Sequence, residues 1–356
     1  MVVKAVVRPF ARTKGWFREM SEARQGRFGW LRGIFWLAIV YLVASVFLGV
    51  WWSWGASEFD VNTATEERLS LLTDTDQTYT GSYTTATLIE LGDILLSKPG
   101  GFLSNDMTPP GIWLDNQPNW EYGMLIQIRD MSKALREAFS RSQSQSTEDQ
   151  QLARAESRFN VDHNNWIMPA AEDEYKKGIA ALEDYLARLV DADSTNAQFY
   201  ARSDNLRYWL RTVETRLGSL SQRLSASVGQ RRLNTDLAGE NEASQSTAAP
   251  KELEVKTSFW ERDDVFYEAR GSTFAILHLM KAIEKDFGSV LDKKNARVSV
   301  QQIIRELEGT QEFVWSPMIL NGKGFGFVAN HSLVMASYIS RANAALIDLR
   351  ELLAQG

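Results

Sequence analysis

The feature that most limits what this chain can fold into is a run without charge. From Gly33 to Ser57 there is no Asp, Glu, Lys or Arg, and Ile34-Phe35-Trp36-Leu37-Ala38-Ile39-Val40-Tyr41-Leu42-Val43 continues through Val46-Phe47-Leu48-Gly49-Val50-Trp51-Trp52. A helix needs roughly 20 apolar residues to cross a hydrocarbon layer of about 30 Å, and this run supplies them. Trp30 and Trp36 stand toward one end and Trp51, Trp52 and Trp54 toward the other, where indole rings favour the boundary of lipid and water. The pattern predicts a transmembrane anchor over residues 30–54, with the lipid bilayer as its first partner. A cleaved signal peptide has a shorter apolar core and a small-residue exit. Here tryptophans close the run, and Gly55-Ala56-Ser57 is a poor cleavage site.

Charge gives the anchor a direction. Lys4, Arg8, Arg12, Lys14, Arg18, Arg24, Arg27 and Arg32 precede the uncharged run, against Glu19 and Glu22. That leaves the leading segment at +6; with the whole chain at −6, the remainder stands at −12. Basic flanks stay on the cytoplasmic side. Residues 1–29 are therefore expected as a cytoplasmic tail, and everything beyond the anchor as exported. An acidic exported domain does not bind nucleic acid by neutralising phosphates. Zero cysteines exclude a lipoprotein anchor, a disulfide framework, thiolate chemistry and Cys-based zinc sites. The localisation that follows is a bacterial inner membrane, with the N-terminus cytoplasmic and the main domain periplasmic.

Beyond the anchor the periodicity is helical. A short helix is expected at 64–72, capped by Asn62 or Thr63, and another at 84–97, stopped by Pro99-Gly100-Gly101 because proline cannot continue a helix. Residues 101–119 show no period. Leu125, Ile128, Met131, Leu135 and Ala138 then alternate at three and four, as one face of a helix does. Thr147 and Gln150 read as a capping box. Ile179, Leu182, Leu186 and Leu189 make one stripe, and Leu206, Leu210, Val213, Leu217, Leu220 and Leu224 make a second. The short polar turn near 191–196 predicts that these two form an antiparallel hairpin. Residues 234–256 are nearly free of apolar side chains and read as a linker. Helices at 262–287, 300–307 and 332–353 follow, with β character at 312–320. The expected fold is mainly α: one transmembrane helix and an elongated helical-bundle domain, with minor β near 312–328. It divides into helical residues 58–233, a flexible linker at 234–256, and a helical C-terminal segment at 257–356.

The motifs offer little chemistry. Lys323-Gly324-Phe325-Gly326-Phe327-Val328 resembles the first signature of an RNA-recognition motif, but the signature's final aromatic falls at Asn330 and the domain is acidic. Leu152-Ala153-Arg154-Ala155-Glu156-Ser157-Arg158-Phe159-Asn160 resembles the A-R-x-E-S-x-F-N segment of lytic transglycosylases, which cleave peptidoglycan. That resemblance makes Glu156 a general acid/base. The family's following glycine-rich groove segment is replaced here by Trp166-Ile167-Met168-Pro169. His163, His278 and His331 lie far apart, so no metal site is expected, and no motif calls for a cofactor.

The best binding candidate is an aromatic loop. Trp113, Asp115, Asn116, Trp120 and Glu121 mix flat apolar faces with hydrogen-bonding groups, as a partner-binding loop does. Trp120, at the start of an apolar helix, is expected to pack inward, and Trp113 to be presented. Pro99-Gly100-Gly101, Asn105-Asp106, Pro109-Pro110-Gly111, Trp113-Leu114-Asp115-Asn116, Pro118-Asn119-Trp120-Glu121 and the Ser/Gln run into Glu148-Asp149 resemble an uncharacterised bacterial family, domain of unknown function 2333. The resemblance implies a single-pass membrane protein and assigns no activity. The functional expectation is a non-enzymatic envelope scaffold that binds another envelope protein. A peptidoglycan-cutting or peptidoglycan-binding relative using Glu156 is the alternative.

Overall fold

The computed structural model describes residues 10–73, 79–142, 147–191, 196–233, 252–316, 318–322 and 326–355. It divides into two compact units, residues 1–52 and 53–356. The first holds one helix, α1 (Phe10–Trp52). Its Trp30–Trp52 stretch, with a mean hydropathy of 2.4, is 6% buried and long and apolar enough to cross a membrane. A core helix of this composition would have its apolar surface covered by protein.

The second unit is built from α2 (Val61–Ser70), α3 (Ser82–Ser97), α4 (Asn116–Ala134), α5 (Gln150–Phe159), α6 (Ala171–Leu189), α7 (Ser203–Ala226), α8 (Arg262–Asp286), α9 (Gly288–Lys293), α10 (Arg297–Gly309) and α11 (His331–Ala354). A two-stranded ribbon, β1 (Gln230–Leu233) and β2 (Glu252–Val255), pairs antiparallel with Gln230 opposite Val255. The mainly α expectation holds, and the helices after 256 join those before 234 in one core.

That core is centred on two helices that almost touch. Gly123 of α4 and Gly271 of α8 face the opposite backbone: a Cβ on Gly123 would sit 2.0 Å from the Glu268 carbonyl oxygen, and one on Gly271 1.9 Å from that of Trp120. Ser272 Oγ donates to the Gly123 carbonyl at 3.0 Å. The pairs Asn119–Asp264 and Gly123–Glu268 both advance along the chain, so α4 and α8 run parallel with their N-termini at one end. Backbones this close gain dispersion contact along the whole approach.

Helix α3 lies against both α6 and α8, and its N-terminus is capped from a distance. The Asp286 carboxylate accepts from Gly81 N at 2.8 Å, Thr84 N at 2.7 Å and Thr84 Oγ at 2.6 Å. A carboxylate here satisfies helix-end N–H groups that have no partner within the helix.

Several local expectations change. The six-residue stripe from Leu206 to Leu224 is buried throughout α7, but its partner is α11, while α6 packs on α5 and α3. The proposed α6–α7 hairpin is therefore not formed: adjacency in sequence does not choose a neighbour when a better apolar face is available elsewhere. Residues 192–195 of that turn lie outside the described residues. Asp60 caps α2 by accepting from Thr63 N at 2.8 Å, in place of Asn62 or Thr63. Asp149 caps α5 by accepting from Gln151 and Leu152 N–H groups, because a carboxylate offers the stronger acceptor to positive N–H dipoles. The only β feature among the described residues near 312–328 is a single bridge, Asn321 to Asn330. Of the expected linker, residues 234–251 lie outside the described residues, and 252–255 form β2.

Candidate functional site

The aromatic loop resolves into two different kinds of residue. Trp120, 4% exposed, packs on Phe274 at 5.4 Å between ring centroids. Trp113 sits in a short 3-10 turn, Gly111–Trp113, and is 51% exposed. Asp115 is exposed and caps α4 by accepting from Asn116 N at 2.9 Å. Asn116 is half-buried in the first turn.

Glu121 belongs to the core. It is fully buried, ion-paired with the buried Lys98, and accepts from Leu103 N and Ser104 N, each at 2.8 Å, and from Ser104 Oγ at 2.5 Å. Burial pushes its carboxyl up, against the pull of Lys98 and these donors. Glu121 therefore folds the 98–104 turn onto α4 and leaves no oxygen for a ligand. Of the five loop residues, the structure leaves Trp113, Asp115 and Asn116 near solvent and draws Trp120 and Glu121 inward.

Other exposed aromatic residues, far apart in sequence, stand on loops tied to the N-terminal ends of α4 and α8. Gln117 Nε2 donates to the Ser53 carbonyl at 3.0 Å, which holds the start of the second unit against the first turn of α4. Asn119 Nδ2 donates to Asp264 Oδ1 at 2.8 Å, tying the start of α8 beside it. Phe259 and Trp260, exposed, immediately precede α8. Arg270 donates to the carbonyls of Gln311 and Glu312 at 2.7 and 2.9 Å and so positions the next loop, which carries the exposed Phe313 and Trp315. The same loop leads to Phe327 and to the start of α11 at His331, whose ring lies 6.5 Å from Phe266. Asn105 Nδ2 donates to the Asn165 carbonyl, which brings in the loop bearing Trp166.

All these loops share one end of the second unit. Among the described residues beyond α1, every exposed aromatic side chain except Tyr208 stands on this end. The opposite end, with residues 196–202 and 287–296, presents no exposed aromatic group. Of this set, only Trp113 lies in the stretch whose sequence pattern marks it as a binding loop. The others carried a local signal, paired aromatics outside any helical period as in Phe259-Trp260 and Phe313-Val314-Trp315, but nothing in one dimension joins them.

A cavity of about 480 Å³ opens at this end, with Ser53–Glu58, Gln117, Trp120, Arg270 and Phe313 in its wall. Gln117 is 4% exposed, and its Oε1 has no hydrogen-bond donor. Burial depresses the Arg270 guanidinium, which stays cationic. Nearby, burial together with Asp263, Asp115 and Glu261 pushes Asp264 up to about 6.

The other candidates stand apart. Glu156 is held with Glu148 and Glu137 around Arg136, which ion-pairs with all three carboxylates. His163 lies tilted against Tyr122, with ring centroids 4.8 Å apart, and burial holds it below its usual range. No group of three or more metal-ligating side chains gathers among the described residues. Residues 323–325 of the RNA-like signature lie outside the described residues; Phe327 is fully exposed.

The chain belongs to DUF2333, a family of uncharacterised proteins conserved in bacteria, whose profile matches residues 24–356. No curated protein and no solved structure matches it.

Proposed function

We propose that this DUF2333 member is a single-pass protein of the bacterial inner membrane that works by binding rather than catalysis. Its binding surface is the aromatic end of the helical unit. The observation that carries the reading is the gathering of Trp54, Trp113, Trp260, Phe313 and Trp315, from four separate parts of the chain, at the end where residue 53 enters. Exposed aromatic groups concentrated in this way mark an interaction surface. The unburied Trp30–Trp52 helix supports the anchor, and the basic residues before it support a cytoplasmic N-terminus and a periplasmic domain. An envelope scaffold that holds its partner close to the membrane follows from the two together.

The test is photo-crosslinking in cells. A photoreactive residue in place of Trp113 or Trp315 in the full chain should give adducts with an envelope component, and one in place of Asp184 should not. Absence of adducts from both aromatic positions would sink the reading. So would Glu156-dependent cleavage of peptidoglycan by the purified chain. A reporter active only in the periplasm, fused after Gly356, should be active; activity of a cytoplasmic reporter there would reverse the topology.

A further inference from the structure

Resting on the reading of the aromatic end as a binding surface, we infer that its occupant is the lipid–water boundary of the membrane that holds the anchor. Ser53 follows Trp52, the last residue of the apolar span, by one peptide bond. Its carbonyl is fixed by Gln117 to the first turn of α4. Trp113 lies one turn before that point, and Phe313 shares a cavity wall with Ser53–Glu58. The first turn of α4 and the loop bearing Phe313 therefore lie beside the residue at which the chain leaves the span.

The chemistry of the side chains points the same way. Tryptophan on polar loops settles among lipid headgroups, its ring in hydrocarbon and its N–H toward water, and a neighbouring phenylalanine adds apolar area to the same contact. Trp315 is 91% exposed and Trp260 81%. They stand on separate loops rather than around one packed centre, whereas the strongest contacts of a protein–protein interface cluster in a desolvated pocket. Asp115, Glu261, Asp263 and Glu312 neighbour the rings in sequence, against Arg262, whose guanidinium lies 5.4 Å from the Phe259 ring centre; the balance is acidic, so attraction to anionic lipid is not the source of affinity. Tethering supplies the rest: a span already in the bilayer makes contact by a second, weaker element an intramolecular step. The helical unit thus rests on the membrane by its aromatic end and turns its polar end away.

The absence of native cysteine makes the test direct. Single substitutions Trp113→Cys, Trp260→Cys and Trp315→Cys, with Val298→Cys and Asp184→Cys as references, are labelled with an environment-sensitive fluorophore. Each full chain is reconstituted in phosphatidylcholine nanodiscs with and without nitroxide-bearing lipid. Labels at 260 and 315 should be blue-shifted and quenched several-fold more strongly than those at 298 and 184, equally in low and high salt. Quenching at 113, 260 and 315 no greater than at 298 would overturn the inference. Protein adducts from position 315 without lipid quenching would also overturn it, yet leave the binding reading standing. Failure of both quenching and every adduct would remove the two together.

Discussion

Phe59 and His278, 219 residues apart in the chain, lie face to face, with ring centroids 4.1 Å apart and planes 12° from parallel. The Phe59 N–H donates to His278 Nε2 at 3.2 Å, and His278 Nδ1 lies 2.8 Å from the Phe274 carbonyl. An acceptor at Nε2 and a donor at Nδ1 define a neutral imidazole of one tautomer. The ring therefore ties the segment after α1 to α8 only while it stays uncharged.

That requirement makes stability depend on pH in two opposed ways. Burial holds His278 down at about 4, so the unfolded chain protonates first, from its ordinary value of 6.5; the stability this ring contributes is full above that value and lost as pH falls toward 4. Burial raises Asp286 to about 6, so the folded chain protonates first. Its contribution is full below the ordinary 3.8 and lost as pH rises through 6. Each is on the order of 3 kcal/mol. Relative to the parent chain, Asp286→Asn should therefore shift the response to acidification from pH 7 to 4.5 toward loss of stability, and His278→Gln should shift it toward gain. Urea midpoints across that range measure both; parallel curves for the two variants would refute the pairing.

The close approach of α4 and α8 predicts a sharp contrast among glycines. Gly123→Ala and Gly271→Ala put a methyl group against backbone that cannot swing aside, and each should cost about 3 kcal/mol or more. Gly218→Ala, in α7, meets only the Asn343 side chain at 3.7 Å and should stabilise by roughly 0.5–1 kcal/mol through helix propensity. Chemical denaturation reports all three. A similar loss at all three positions would show that the approach is looser than described.

Trp120→Ala should lower stability by about 3–5 kcal/mol, as a large cavity in a core does. Trp113→Ala should leave the melting temperature nearly unchanged and weaken what the aromatic end binds. Equal destabilisation by the two would return Trp113 to the core.

Lys98→Met strands the buried Glu121 carboxylate and should cost roughly 3–5 kcal/mol. Glu156→Gln removes one of three carboxylates around Arg136, which is partly open to water, and should cost less than about 1 kcal/mol. Calorimetry on the two variants separates a core ion pair from a surface one. Equal losses would contradict that assignment.

Much of the helix content was legible because one buried face imposes a period. Leu206 to Leu224 on α7 and Ile179 to Leu186 on α6 read correctly as stripes, and all but Leu189 of the α6 set are buried. Their neighbours were not legible, since a stripe specifies burial and not the surface that supplies it; α7 chose α11 over α6. Caps shifted by a few residues because Asp60 and Asp149 outcompete the hydroxyl and amide side chains nearby. At the site, Trp113 and Trp120 separated as expected from the helix that begins between them. Glu121 did not, because its partner Lys98 lies across a turn with no repeating pattern. The grouping of Trp54, Trp113, Trp260 and Trp315 is a product of topology alone.

The Gly123–Gly271 approach also bears on how the polypeptide survives damage. Residues 234–251 fall within the stretch that separates α4 from α8 in the chain, yet the two helices, one before it and one after it in sequence, meet backbone to backbone. A protease cut there would divide the polypeptide without dividing the protein. The fragments would travel as one particle until denatured, and two separately expressed pieces would complement each other by rebuilding the same seam.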